Sequence, residues 1–71
     1  MNITHFDDNT VKIAGTIDVW AYEIQKHNNP MCKVYAQNGE HLFDLCGSVK
    51  SDAVLATAYE FAQHPEALRE D

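Results

Sequence analysis

The sequence predicts an α+β fold: a small antiparallel meander of three to four strands with one C-terminal helix packed on one face. Three observations carry this. Asn38-Gly39 separates two short runs, 31–37 and 40–46, that alternate apolar and polar residues, which is the strongest short-range hairpin signal. Residues 51–64 place apolar side chains at helical spacing. The length of 71 residues suits a single small domain, 1–71, and no repeat, low-complexity stretch or linker divides it.

The elements follow in chain order. Residues 1–9 are expected to be a loose end, or to contribute an edge strand through Ile3 to Phe6. Val11 to Ala14 is a short strand candidate, with Gly15 as a bend after it. Residues 16–25 fit two templates. As a helix, Ile17, Trp20, Ala21 and Ile24 form one stripe. As a strand, Ile17, Val19 and Ala21 face one way and Trp20, Tyr22 and Ile24 the other. The enrichment in β-branched and aromatic residues favours the strand. His27-Asn28-Asn29 is a polar turn cluster, and Pro30 after it marks the end of an element.

The helix begins at Ser51, a good N-cap, with Asp52 in the first turn where the helix dipole favours negative charge. Val54, Leu55, Ala58, Phe61 and Ala62 form its apolar stripe. Tyr59 borders the stripe, and Thr57, Glu60 and Gln63 face away. Pro65 closes the periodic segment, and residues 66–71 form a second expected loose end.

A two-residue type I′ loop at Asn38-Gly39 would fix the hairpin register. It sets Ala36 opposite His41, Tyr35 opposite Leu42, Val34 opposite Phe43, Lys33 opposite Asp44 and Cys32 opposite Leu45. Cys32, Val34, Ala36, Phe43 and Leu45 then share a core face, with His41 at its rim. Met31, Lys33, Tyr35, Leu42, Asp44 and Cys46 share the other. Lys33 facing Asp44 is an attractive cross-strand pair. If residues 16–25 are a strand, Trp20, Tyr22 and Ile24 join Tyr35 and Leu42 on that second face. Exposed patches of this kind mark interfaces, and Trp and Tyr are enriched at binding hot spots.

Eleven acidic residues against five basic ones give a net charge of −6. Direct binding to nucleic acid or to an anionic membrane needs clustered cations and is disfavoured. A protein partner with a basic surface fits better, met by Asp18, Glu23, Glu40 and Asp44 around Trp20 and Tyr35. No stretch is long and apolar enough to span a membrane, and the N-terminus lacks the basic and apolar regions of a signal peptide. Two cysteines are few for a small secreted domain. The expectation is a cytoplasmic protein, in the bacterial host cytoplasm if phage-encoded.

Site chemistry is not encoded in any motif. Cys-x-x-Cys, His-x-x-x-His and His-Glu-x-x-His are all lacking, so no metal or other cofactor is expected. The register sends Cys32 and Cys46 to opposite faces, which argues against a disulfide and predicts reduced thiols with one buried. No Ser or Cys nucleophile has a motif around it, and a chain this short has little room for a substrate-sized pocket. The protein is expected not to be an enzyme.

In size, acidity and strand-strand-helix layout the chain resembles the small accessory proteins of phages and mobile elements, including anti-CRISPR and other host-enzyme inhibitors. The resemblance rests on layout and carries over no individual residue. It implies an inhibitor of a host nucleic-acid-handling complex. The alternative is a structural homodimer or an accessory subunit using the same face.

Overall fold

The structure, a computed structural model, describes residues 2–63. Five strands and one helix follow in chain order: β1 (Asn2–His5), β2 (Thr10–Ala14), β3 (Val19–Lys26), β4 (Asn29–Ala36), β5 (His41–Cys46) and α1 (Asp52–Gln63). The strands form one antiparallel sheet in the order β1-β2-β3-β4-β5. The expected meander is present with five strands instead of three to four. The extra strand comes from the N-terminal end, where Asn2 to His5 pair with Ala14 to Val11. Residues 66–71, the second expected loose end, lie outside the described residues.

Residues 16–25 resolve as strand from Val19 onwards. Alternation in β3 buries Val19 and Ala21 and turns Trp20, Tyr22 and Ile24 to the other side. Ile17 departs from expectation. It sits in the bend before β3 and is 40% exposed. Asp18 holds that bend, its carboxylate accepting from the Gly15 backbone N–H at 3.1 Å. Such short-range capping is a common use of aspartate in turns.

Two hairpins flank β4, and their turns reverse the sequence expectation. His27 and Asn28 both have positive φ, 54° and 68°, and Lys26 pairs with Asn29 across them. This is the two-residue geometry of a type I′ hairpin, and Asn and His are among the few side chains that tolerate left-handed backbone. Pro30 therefore lies inside a strand, one residue past the turn, and its carbonyl accepts from the Gly47 N–H at 3.1 Å.

Asn38-Gly39 does not form that turn. Only Gly39 of the pair is left-handed, at φ 93°. The Ala36 carbonyl accepts from the Gly39 N–H at 2.9 Å, and the Ala36 N–H donates to the Glu40 carbonyl at 2.7 Å. The loop is thus three residues, Gln37-Asn38-Gly39, closed by a glycine bulge. The Asn38 side chain stabilises it by accepting from the Glu40 N–H at 3.0 Å. Tyr35 consequently pairs with His41, not Leu42. A β-bulge then restores the expected register, with Val34 opposite Phe43, Lys33 opposite Asp44 and Cys32 opposite Leu45.

The helix covers one face of the sheet. Ser51 caps it, with its Oγ accepting from Val54 N at 3.4 Å and its carbonyl accepting from Leu55 N at 3.0 Å. Leu55, Ala58 and Ala62 bury against Val11, Ile13, Val19, Ala21, Cys32 and Val34, with Val49 from the preceding loop. Phe61, placed in the stripe by periodicity, lies at its margin and meets Phe43 edge-to-face at 5.8 Å. Gln63 does not simply face away, because its side-chain amide donates to the Ile17 carbonyl at 3.2 Å. Close approach shapes both ends of this contact. A Cβ on Gly15 would meet the Tyr59 ring at 2.3 Å. One on Gly47, which is also left-handed at φ 136°, would meet Val54 at 2.4 Å.

Candidate functional site: the outer face of the sheet

Opposite the helix, the sheet alternation delivers a second set of side chains in rows that cross the strands. The pairings place Thr4, Lys12, Trp20, Tyr35 and His41 in one row. The next holds Thr10, Tyr22, Lys33 and Asp44, and Phe6 joins it through the bond from its N–H to the Thr10 carbonyl at 2.9 Å. Ile24, Met31 and Cys46 form a third row, and Lys26 and Asn29 end the face.

The rings touch in sequence. Phe6 lies 5.2 Å from Trp20, Trp20 6.5 Å from Tyr22, Tyr22 5.4 Å from Tyr35, and Tyr35 5.2 Å from the His41 ring. These separations are those of interacting aromatic pairs. The Lys12 ammonium sits 5.7 Å from the centre of the Trp20 ring, a cation–π contact. Phe6 is 58% exposed, Ile24 40% and Tyr22 38%. A continuous aromatic and aliphatic surface therefore spans β3, β4 and β5, extended by Phe6 from the β1–β2 loop.

Trp20, Tyr22 and Tyr35 thus stand together as expected from the alternation. Leu42 does not join them. The bulge turns it inward, where it packs against the buried core. His41, expected at the rim of the core face, takes the outward place beside Tyr35. Phe6 was missed altogether by sequence reasoning. Its only signal was parity, one residue beyond an edge strand that periodicity left open.

The acidic residues assigned to this face are mostly elsewhere. Asp18 is committed to the bend at Gly15. Glu23 lies on the helix side of β3, where its carboxylate accepts from the Ser48 hydroxyl at 2.5 Å and from Val49 N at 3.1 Å. Those bonds, the hydroxyl first, hold its pKa below the usual value against the opposing effect of burial. Glu23 is therefore a tether for the loop that leads into the helix. Glu40 stands at the hairpin tip, exposed. Asp44 alone is on the face, and it is already engaged. His41 Nε2 lies 2.7 Å and Lys33 Nζ 3.5 Å from its carboxylate. These contacts, His41 foremost, lower its pKa.

The lysines are where the acids were expected. Lys12, Lys26 and Lys33, three of the chain's five basic residues, all occupy outer-face positions. With Asp44 as the one carboxylate on the face among the described strands, three lysines against one aspartate leave a local charge of +2. The strand positions of the face are thus basic on an acidic chain, while the turn next to Phe6 carries Asp7 and Asp8.

A cleft of about 540 Å³ opens at the Lys26 end, bordered by His27, Pro30, Met31, Cys46 and Gly47. Its size overturns the expectation that so short a chain lacks a substrate-sized concavity. Both cysteines are free thiols, Cys32 buried and Cys46 exposed, as the face assignment predicted. Burial pushes the Cys32 thiol up to about 11, with Glu23 and Asp44 adding to the effect. Among the described residues, no cluster of three or more His, Cys, Asp or Glu side chains is placed to hold a metal ion, and no helix is long and apolar enough to cross a membrane. No protein-family model matches the chain, and no curated protein and no solved structure is significantly similar to it.

Proposed function

We propose that the protein is a non-enzymatic binding module that engages a protein partner through the outer face of its sheet. The observation that carries this reading is the unbroken run of rings from Phe6 through Trp20, Tyr22 and Tyr35 to His41, covered by no described element while the helix covers the other face. Tyr and Trp offer large contact area and a polar edge, which is why they recur at hot spots. Ile24 and Met31 extend the patch with aliphatic surface, and the cleft beside Met31 can receive an anchoring side chain. Inhibition of a host complex, suggested by the resemblance in layout to phage accessory proteins, would use this same surface.

The test is a pull-down from host lysate with the wild type and with a Trp20→Ala/Tyr35→Ala variant of unchanged melting temperature. Loss of specific partners from the variant supports the module. The same partners on both proteins would remove the aromatic face from the account.

A homodimer through the same face is the second reading, favoured by the small core of a 71-residue chain. Its charge pattern weighs against it, because face-to-face pairing would bring two sets of Lys12, Lys26 and Lys33 together. Sedimentation at tens of micromolar, on the order of weak dimer constants, separates the two. A monomer there excludes the dimer.

A further inference from the structure

The sign of the charge on the outer face says what kind of partner fits it. We infer that the surface this face receives is an acidic protein surface, with carboxylates placed around an apolar or aromatic centre, in place of the basic surface that net charge alone suggests. The inference rests on the outer face being the working surface.

Lys12 and Lys26 lie at opposite ends of the face, Lys12 beside Trp20 in the first row and Lys26 in the last, with Tyr22, Ile24 and Met31 between them. Lys33, at the centre, is held by Asp44. Among the described residues neither Lys12 nor Lys26 has a carboxylate within ion-pair distance, so two cations bracket an apolar middle, and the described strands offer no free carboxylate on this face to a basic partner. Apolar cores with charged rims are the usual anatomy of protein interfaces. The overall charge of −6 does not cancel this locally. At physiological ionic strength, exposed charges beyond about 8 Å are largely screened, so a docking surface meets the lysines next to it. The cleft adds direction. Lys26 lines it together with Pro30, Met31 and Gly47, so an apolar side chain can enter with a carboxylate beside it reaching Lys26.

A single-stranded nucleic acid also combines negative charge with planar rings, and aromatic sheet faces can stack bases. One feature of the face favours a protein. The row of Ile24, Met31 and Cys46 is aliphatic and sulfur-bearing and gives bases nothing to stack on.

The test uses the chain's single tryptophan, which stands inside the face, as the reporter. The intact protein is titrated at low salt, with Trp20 fluorescence read under selective excitation, against a random Glu/Tyr copolymer, poly-lysine and an oligo(dT). The expected result is a saturable change with the Glu/Tyr copolymer. That change weakens about tenfold in a Lys12→Gln/Lys26→Gln variant of unchanged melting temperature and fades as salt is raised. Four results would overturn the inference: no change with the copolymer, tighter binding of poly-lysine, tighter binding of oligo(dT), or equal copolymer binding by the double variant. These failures are separable from failure of the module itself. If Trp20→Ala/Tyr35→Ala loses its lysate partners while Lys12→Gln/Lys26→Gln keeps them, the face stands and its charge preference falls.

Discussion

Val34 and Tyr35 are neighbours in β4, yet Val34 is fully buried beneath the helix and Tyr35 stands in the ring row on the opposite side. The two faces of the sheet are made by the same alternation and serve different ends. The inner face is small and aliphatic, built from Val, Ile, Ala, Cys and Leu that close-pack under α1. The outer face holds the Trp, all but one of the Tyr, and three of the lysines. The buried core closes without the outer rings. Large aromatic side chains held outside a completed core are available for something else.

The sharpest way to break that division is to cut each face in turn. Leu55→Ala, under the helix, should cost about 2–5 kcal/mol, the range for a buried leucine truncated in a packed core. Tyr35→Ala should cost about 1 kcal/mol or less, since its ring keeps access to solvent and loses mainly contacts with Tyr22 and His41. Chemical denaturation of both variants checks the contrast. Equal losses would mean that the outer face is part of the core.

The two cysteines report on the same division. Cys46 should react with a thiol reagent in the folded protein, while Cys32 should react only on unfolding. The Cys32 pKa is raised in the folded state, from 9.0 to about 11. The protonated thiol is thus favoured by folding, and its contribution is fully present below pH 9. It is lost as pH rises from 9 towards 11, on the order of 2 kcal/mol. A Cys32→Ala variant should show a flatter stability profile across that window, measured by urea unfolding at several pH values.

Glu23 is the smallest lever. Its folded-state pKa is depressed from 4.5, so its contribution is present above that value and lost as pH falls through the lower, folded one. Glu23→Gln should flatten the acid limb of the stability curve by a few tenths of a kcal/mol up to about 1 kcal/mol, given partial exposure and solvent screening. An unchanged acid limb would free Glu23 from its structural role and return it to the candidates for binding.

These contrasts also mark what was legible in the sequence. The helix was, because Leu55, Ala58 and Ala62 recur at a period that only a helix can bury, and Ser51 announces its start. The outward side chains of β3 were, because alternation survives even where the start of the strand shifts from 16 to 19. The turns were harder. Asn-Gly permits a type I′ loop without compelling it, and here the Asn38 side chain caps a three-residue loop, while His27-Asn28, a poorer signal, takes both left-handed positions. The one-residue difference exchanged Leu42 for His41 on the face. The acids misled for another reason. Composition counts charges without placing them, and Glu23 and Asp18 are spent on backbone N–H groups that the sequence does not reveal.

The bulge in β5 reaches beyond the register it corrects. Because the ladder resets at Val34 and Phe43, the β4–β5 pairing below the bulge does not depend on the loop, while Tyr35 and Ala36 stay paired with Trp20 and Val19 of β3. Residues 37–42 can change loop length and exchange which side chain they present, while Lys33 stays opposite Asp44 and Cys32 opposite Leu45. The tip is thus a module within the module. Its identity as a His-bearing or Leu-bearing corner is set by a count of residues, so one inserted or deleted residue there can retune the edge of the aromatic surface and leave the buried half of the protein as it was.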